Sequence, residues 1–371
     1  SVFNKKRYFE ISRTKKVFDA FIGLANIYDY KLFWKGFETN SQLEDNELQF
    51  SNGLYLLNNK IKLKNFKWLD TGTNESYIDT LNYFKDRTQR KPGEIVYIIK
   101  NRVIKYFSDK NKCKKLKQRA KGLKSSVPKI IKSPDSFLVY EYVKGKHLTE
   151  VNEKLFRKFL EDLKVNFWQK KNINRIKFKR HCNEFYKDKT LKRVALTLSQ
   201  NPNLDKIKMI NKKKIPSIYK ILNKVKWNEL TNGIPVNFHG DLQPENIIVT
   251  SDHRFKLIDW RTDFSNLSYG DIYYEFSKLN HMLTINTRKV IEGKINVNYK
   301  NNFEVKYDFE TKKTLLNFQK ILFNFIDEND YDLKKVKLLT ALIYLNISKF
   351  YDSPYSELLF FHGKYQLYKL T

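Results

Sequence analysis

Four polar side chains stand at intervals suited to chemistry on a charged group. His239 and Asp241 lie in Phe238-His-Gly-Asp241, Asn246 follows shortly after, and Asp259 ends the run Phe255-Lys-Leu-Ile-Asp259. Two apolar, β-prone runs flank the polar loop, so the four can converge at the mouth of a small hairpin. Moving a γ-phosphoryl group asks a protein for a carboxylate that accepts or orients the proton of the attacking hydroxyl. It also asks for oxygen ligands to Mg²⁺, a hard cation that neutralises charge between phosphates. Asp241 suits the first role and Asn246 with Asp259 the second, while His239 suits orientation better than metal ligation. Finding these four identities at fixed spacing in 371 residues has a chance rate of ~0.002 per chain. The bland reading, a turn whose Asp259 pairs a lysine, is weaker.

The elements that must carry these residues fall into three stretches. Residues 1–85 read as an apolar strand-like piece around Phe18 to Ala25, an aromatic helix from Tyr28 to Phe37, a second helix ending near Lys60, and a helix to Phe84. Thr73 or Asn74 can cap that last helix, with Glu75 in its first turn. Asp86 to Gly93 has the composition of a connector. Val96-Tyr-Ile-Ile and Val103-Ile-Lys-Tyr-Phe around Lys100-Asn-Arg read as a hairpin. A cationic helix from Asn111 to Leu123 and the strand Phe137 to Val143 complete a small, mostly antiparallel sheet over 86–145. From 146 to 371 the apolar spacing is helical, interrupted by short strands only between Val236 and Ile258.

Composition bounds the remaining classes. The 371 residues carry 71 Lys and Arg against 40 Asp and Glu, a net charge of +31, with 41% hydrophobic and 15% aromatic residues. That content is ample for packed cores and excludes wholesale disorder; the charge favours anionic partners without choosing among nucleotides, phosphorylated substrates, nucleic acid and lipid. Cys113 and Cys182 can form one disulfide at most, too few to frame a chain this long, and a reducing, cytoplasmic setting fits. The most apolar stretch, Leu338 to Ile347, is about half of the ~20 residues a spanning helix needs, so it reads as a buried helix and no membrane span is expected. His147, His181, His253, His281 and His362 lack zinc-site spacing.

At His239-Gly-Asp241, Asn246 and Leu257-Ile-Asp259-Trp260 the sequence resembles the aminoglycoside phosphotransferase and choline kinase group of small-molecule kinases, over about Glu94 to the C-terminus. The resemblance implies an α+β, bilobal protein-kinase-like fold, with a small antiparallel-sheet lobe over 86–145 and a largely helical lobe over 146–371. It implies ATP and Mg²⁺ as cofactors, Lys105 on a central strand reaching the α- and β-phosphates, and Glu141, Tyr142 and Val143 lining the adenine pocket through backbone groups. Two departures stand out. No Glu lies between Lys105 and Glu141 to pair the nucleotide lysine, and only Pro92-Gly93 stands where a glycine-rich loop would cover the phosphates.

Phe21-Ile-Gly-Leu-Ala-Asn-Ile-Tyr-Asp-Tyr30 and Trp68-Leu-Asp-Thr-Gly-Thr-Asn-Glu-Ser-Tyr77 resemble the closing part of a sugar-nucleotidyltransferase domain. Residues 1–85 are therefore expected to be a partial α/β segment, part of a longer bifunctional protein or a vestige, and inactive in nucleotidyl transfer here. Together the resemblances imply a kinase acting on a hydroxyl of a sugar or sugar-like alcohol, supplying a sugar phosphate for nucleotide-sugar or surface-polysaccharide precursors. A choline-type acceptor would want an aromatic cage with an acid, for which Tyr273, Tyr274 and Glu275 offer the residue types.

The alternative is a kinase-fold module, weak in catalysis, that binds nucleic acid or another polyanion. Its best support is the basic run Lys110 to Lys124 and the interleaved aromatics and cations from Phe185 to Arg193; such runs are more often solvated helix faces over buried rings. A protein kinase is disfavoured because no D-F-G or A-P-E landmark follows Asp259.

Overall fold

The computed structural model describes residues 2–5, 8–11, 25–40, 47–60, 62, 69, 71–84, 88–91, 93–285 and 294–371. The chain divides into two compact units, Ser1–Asp86 and Arg87–Thr371.

In the first unit, strands β1 (Val2–Lys5) and β2 (Tyr8–Ile11) form an antiparallel ladder. Helix α1 (Tyr30–Thr39) lies against α2 (Phe50–Leu54). The two approach at glycines: a Cβ on Gly36 would stand 2.7 Å from the Gly53 carbonyl oxygen, and one on Gly53 would stand 2.3 Å from the Phe33 ring. Phe33 fills the gap that those glycines leave, with Phe37 and Phe50 about it. Helix α3 (Asn74–Phe84) starts where Thr73 Oγ1 accepts the Ser76 N–H at 3.1 Å, the cap that its residue type favours. Residues 21–24, 68 and 70 of the nucleotidyltransferase-like signature lie outside the described residues, as does most of the expected strand from Phe18.

The second unit opens with an antiparallel sheet of strands β3 (Thr88–Lys91), β4 (Glu94–Ile99), β5 (Arg102–Phe107), β6 (Ile130–Lys132) and β7 (Phe137–Glu141), in the order β3-β4-β5-β7-β6. Residues 88–91 are thus a strand and not the connector that their polar composition suggests; pairing with β4, not an apolar pattern, defines it. The β4–β5 hairpin turns at Lys100, whose φ of 52° is left-handed. Helix α4 (Lys110–Leu123) follows, capped by Asp109, which accepts from Asn111 and Lys112 N–H. Its buried side, Cys113, Leu116, Ala120 and Leu123, joins the core with Val103 and Leu138 of the sheet. Burying a side chain of this size stabilises by about 1.5–3 kcal/mol.

The chain crosses into the helical part through β8 (Lys146–His147), which pairs with the later strand Ile247–Val249. Gly145 permits this crossing, because a Cβ there would meet the Val249 carbonyl oxygen at 2.3 Å. Helices α5 (Glu153–Asp162), α6 (Arg175–Asn183) and α7 (Lys189–Gln200) come next, α6 running into α7 through a wide π turn, Glu184–Asp188. Strands β9 (Met209–Ile210) and β10 (Lys213–Lys214), short helices α8 (Ile218–Leu222) and α9 (Trp227–Leu230), and β11 (Pro235–Val236) lead to a hairpin of β12 (Ile247–Val249) and β13 (Phe255–Leu257). After β14 (Gly270–Asp271) and α10 (Ile272–Thr284), the pair β15 (Ile295–Asn301) and β16 (Glu304–Phe309) precedes α11 (Lys313–Glu328), α12 (Leu333–Ser348) and α13 (Tyr355–Leu370). The apolar run Leu338 to Ile347 lies within α12, almost wholly buried. No helix among the described residues is long and apolar enough to cross a membrane. The unit is therefore a mixed helix-and-sheet fold with antiparallel sheets.

Candidate active site

The β12–β13 hairpin brings the polar residues together. Ile247 pairs with Leu257, and one step past that rung the Ile258 N–H donates to the Asn246 carbonyl oxygen at 2.8 Å. Asn246 and Asp259 therefore flank the same end of the ladder. Asp259 adopts φ 61°, a left-handed conformation that a non-glycine residue holds only when its surroundings dictate it.

The loop before β12 is held from inside. Gly240 takes φ 86°, and a Cβ there would crowd the Phe238 ring at 2.7 Å and the Arg261 Cβ at 2.6 Å. His239 is fully buried. Its Nε2–H donates to the Ile258 carbonyl at 2.8 Å, and its Nδ1 accepts the Asp241 N–H at 3.3 Å. Those two partners define one neutral tautomer, and burial pushes the imidazole down to about 4, so it stays uncharged near neutrality. His239 orients the loop.

Asp241 is one-third exposed. Its Oδ1 accepts from Gln243 Nε2 at 2.9 Å and pairs with Lys278 Nζ at 2.6 Å. Burial alone would raise the carboxyl; the Lys278 ammonium and the bonds from Lys278 and Gln243 hold it well below the carboxylate range. Lys278 responds in kind: burial would lower it, but Asp241 holds it above its ordinary value. Asn246 Nδ2 donates to the Asp241 carbonyl at 2.9 Å, which turns the oxygen of its amide the other way.

Lys105, on β5 between Val96 and Leu138, forms an ion pair with Asp259. Asp259, two residues past β13, is thus paired with a lysine, as the plainer reading of this turn expects. Helix α4 engages the loop by a cation. The Arg119 guanidinium donates to the carbonyl oxygens of Phe238, Ser268 and Arg261 and lies 4.6 Å from the centre of the Phe238 ring. Burial lowers it to about 10, still protonated at neutral pH. Glu275 of α10 accepts the His239 and Gly240 N–H groups, each at 2.8 Å, and burial raises it to about 7.

Sequence reasoning meets Arg119 only within a basic run and Glu275 only as a cage acid, and it does not single out Lys278, because each reaches the loop from another element. The structure also reassigns neighbours. Glu275 is spent on the loop backbone, and Tyr273 and Tyr274 are buried, so the three do not form a cation cage. Trp260 is core, its Nε1 donating to the Leu116 carbonyl at 3.0 Å. Asp263 pairs with Lys115, while the Arg261 side chain donates to the Asp263 backbone carbonyl at 3.1 Å. Asp271 caps α10 through the Tyr273 N–H and also receives the Ile234 N–H and the Tyr186 hydroxyl. β7 ends at Glu141, so Tyr142 and Val143, expected within the strand, lie past it, between it and Gly145; the Tyr142 N–H already donates to the Asn101 carbonyl at 2.9 Å.

No family model and no curated protein matches the chain. Solved structures similar to it include a ternary complex of APH(2")-IIa with streptomycin and ATP, 16% identical, covering 81% of this chain and 97% of that one at a TM-score of 0.43. Choline kinase LicA from Streptococcus pneumoniae is 10% identical, covering 79% and 99% at 0.41. Plasmodium vivax ethanolamine kinase is 15% identical, covering 90% and 96% at 0.42.

For a metal the donor chemistry is suitable. A hard divalent ion takes carboxylate and amide oxygens, which Asp259 and Asn246 supply from one hairpin end. Among the described residues no three His, Cys, Asp or Glu side chains group as a metal site would.

Proposed function

We propose that the chain is an ATP-dependent small-molecule kinase that transfers the γ-phosphoryl group to a hydroxyl. The observation that carries this reading is the convergence of Asp241, Asn246 and Asp259 in one loop and hairpin, with Lys105 of β5 paired to Asp259. Asp241 receives the acceptor hydroxyl, Lys105 meets the α- and β-phosphates, and Glu141, Tyr142 and Val143 border the base. Asn246 and Asp259 hold Mg²⁺, which when bound neutralises charge between the phosphates.

Asp241 works under the influence of Lys278. A carboxylate held this acidic is a weak base, so its role is to orient the hydroxyl and take the proton late, which suits a loose transition state with little early demand for deprotonation. His239, uncharged, keeps the loop in register between Ile258 and Asp241. In this reading Lys105 exchanges Asp259 for the phosphates when nucleotide binds.

The polyanion-binding alternative has less support. Of the basic helix, Lys112 pairs with Glu94, Lys115 with Asp263, Lys117 bonds Ser133 and Pro134 carbonyls, and Arg119 is buried. Phe185 and Tyr186 are buried and offer no stacking face. The finer reading, a sugar-like acceptor whose phosphate feeds nucleotide-sugar synthesis, rests on the likeness of residues 1–85. The test is a screen of sugars, sugar derivatives and amino alcohols for ADP release with MgATP. Turnover of a hydroxyl compound is expected; no turnover with any class, together with no stabilisation by MgATP, would contradict the reading.

A further inference from the structure

Around Asp241 the second unit gathers positive charge that no carboxylate answers. Lys189 opens α7, half-buried, with Nζ 3.0 Å from the centre of the Phe185 ring and 5.5 Å from that of Tyr274. Arg261, whose N–H donates to the His239 carbonyl, lays its guanidinium 5.1 Å from the same Phe185 ring. Arg193 stands one turn beyond Lys189, and Lys278 one turn beyond Tyr274, where it carries Asp241. The nearby acids are engaged elsewhere: Asp263 pairs with Lys115, and Glu184 accepts from Ser265. Among the described residues Lys189, Arg193 and Arg261 have no carboxylate partner.

Cation–π contact, Lys189 with two rings, Arg261 with one and Arg193 with Phe350 beside a 3.4 Å bond to the Asn346 carbonyl, returns less than partial removal from water costs each ion. Burial, reinforced by Arg261, Arg193 and Lys278, pulls the Lys189 ammonium well below its ordinary range. Cations this close repel one another, and an anion among them would relieve the repulsion.

A recess of about 20 Å³, room for one water-sized group, opens beside Lys189 and Arg193, with Phe185, Tyr274 and Asn346 in its wall and Leu339, Leu342, Ile343 and Ile347 of α12 closing its apolar side. Asn346 is 6% exposed; its Nδ2 donates to Thr190 Oγ1 and the Leu342 carbonyl, each at 2.7 Å, while its Oδ1 receives no donor. The wall therefore offers a buried acceptor for a ligand hydroxyl. The wide turn Glu184–Asp188, a π-helical geometry frequent at functional sites, is what places Phe185 and Lys189 together.

We infer that the acceptor carries an oxyanion, a phosphate or a carboxylate, held by Lys189, Arg193 and Arg261 while one of its hydroxyls meets Asp241. The inference rests on the kinase reading and names its substrate class. In the transfer, the acceptor oxygen bonds to the γ-phosphorus and the bond from that phosphorus to the bridging oxygen breaks. ADP leaves with the electron pair, and the hydroxyl proton passes to the Asp241 carboxylate and then to solvent. Amines such as choline are repelled by the same cations.

Calorimetric binding to the full chain tests this, with glycerol 3-phosphate and gluconate as anionic probes, glycerol and choline as controls, and MgATP titrated separately. The expected result is binding of at least one anionic probe, weakened tenfold or more in Lys189→Met and in Arg193→Met, with no comparable binding of glycerol or choline. The better anion tells phosphate from carboxylate. Lys114→Met removes the same charge from an exposed face and is expected to leave affinity unchanged; a cooperative melt verifies each fold. Equal weakening by Lys114→Met, no anion binding, or tighter binding of choline would overturn the inference. Anion binding that disappears in Lys189→Met while MgATP fails to bind the wild type would keep the anion site and sink the kinase reading instead.

Discussion

At the residue scale the site depends on one carboxylate and the ammonium against it. Lys278 keeps Asp241 ionised to low pH, so activity that needs the carboxylate persists as the medium is acidified. Removing the ammonium removes that support: in Lys278→Met the Asp241 pKa rises, and the acid limb of the rate profile moves up by one pH unit or more. A pH–kcat profile of the variant checks this, and an unmoved limb would show that Lys278 does not govern Asp241. The motif itself was legible in the sequence, because His239, Asp241, Asn246 and Asp259 are set by spacing along one segment. Lys278, Glu275 and Arg119 were not. Glu275 meets His239 from 36 residues along the chain and Arg119 meets Phe238 from 119 away, and only folding puts them in contact. The lack of a glutamate between Lys105 and Glu141 was legible in the sequence, but the pairing of Lys105 with Asp259 was hidden for the same reason.

At the scale of elements, α4 and α10 clamp the loop before β12 from two directions. Glu275 presents two oxygens to two backbone N–H groups, which explains a carboxylate where an amide of equal size would not serve. Glu275→Gln sets an NH₂ against one of those donors, and the loss is expected to be about 1–3 kcal/mol, the penalty of an unsatisfied buried group. Denaturant unfolding measures it; an unchanged midpoint would mean that the loop does not depend on α10. Arg119→Met leaves three carbonyls and the buried Glu275 without their cation, and breaking a buried charge arrangement from one side costs about 3–5 kcal/mol. A larger loss of melting temperature in Arg119→Met than in Lys115→Met, whose pair with Asp263 is half-exposed, is the expected order. Strand and helix positions were readable where apolar pattern or capping decided them, as at β5, α3 and the β12–β13 hairpin. β3 was not, since Thr88-Gln-Arg-Lys91 is polar and owes its strand to the partner beside it.

At the scale of the second unit, three histidines are buried uncharged. Burial holds His239 at about 4 and His362 at about 3, and pushes His281 well below 6.5. An unfolded histidine takes a proton near 6.5 and these do not. The stability they contribute is therefore complete above that pH and lost as pH falls toward 4, roughly 3 kcal/mol for His239 alone. Glu275, raised to about 7 from 4.5, works oppositely, since its folded form takes the proton first as pH falls through that window. The histidines outnumber it, so thermal stability is expected to decline from pH 6.5 to 4, and to decline more steeply in Glu275→Gln. Melting curves across that range test it; a flat wild-type profile would mean that these imidazoles are not held neutral. The net charge of +31 was visible from composition, yet composition could not show where charge does work. The half-buried cations beside Asp241 are few among 71 basic residues.

The central claim is that Asp241 receives the hydroxyl in a phosphoryl transfer from ATP. Its most direct test is transfer of labelled γ-phosphate from MgATP to the best acceptor of the screen, comparing wild type with Asp241→Ala at equal nucleotide occupancy. The expected result is a fall in kcat of about 10²–10⁴-fold with MgATP still bound. Wild-type turnover by Asp241→Ala would contradict it.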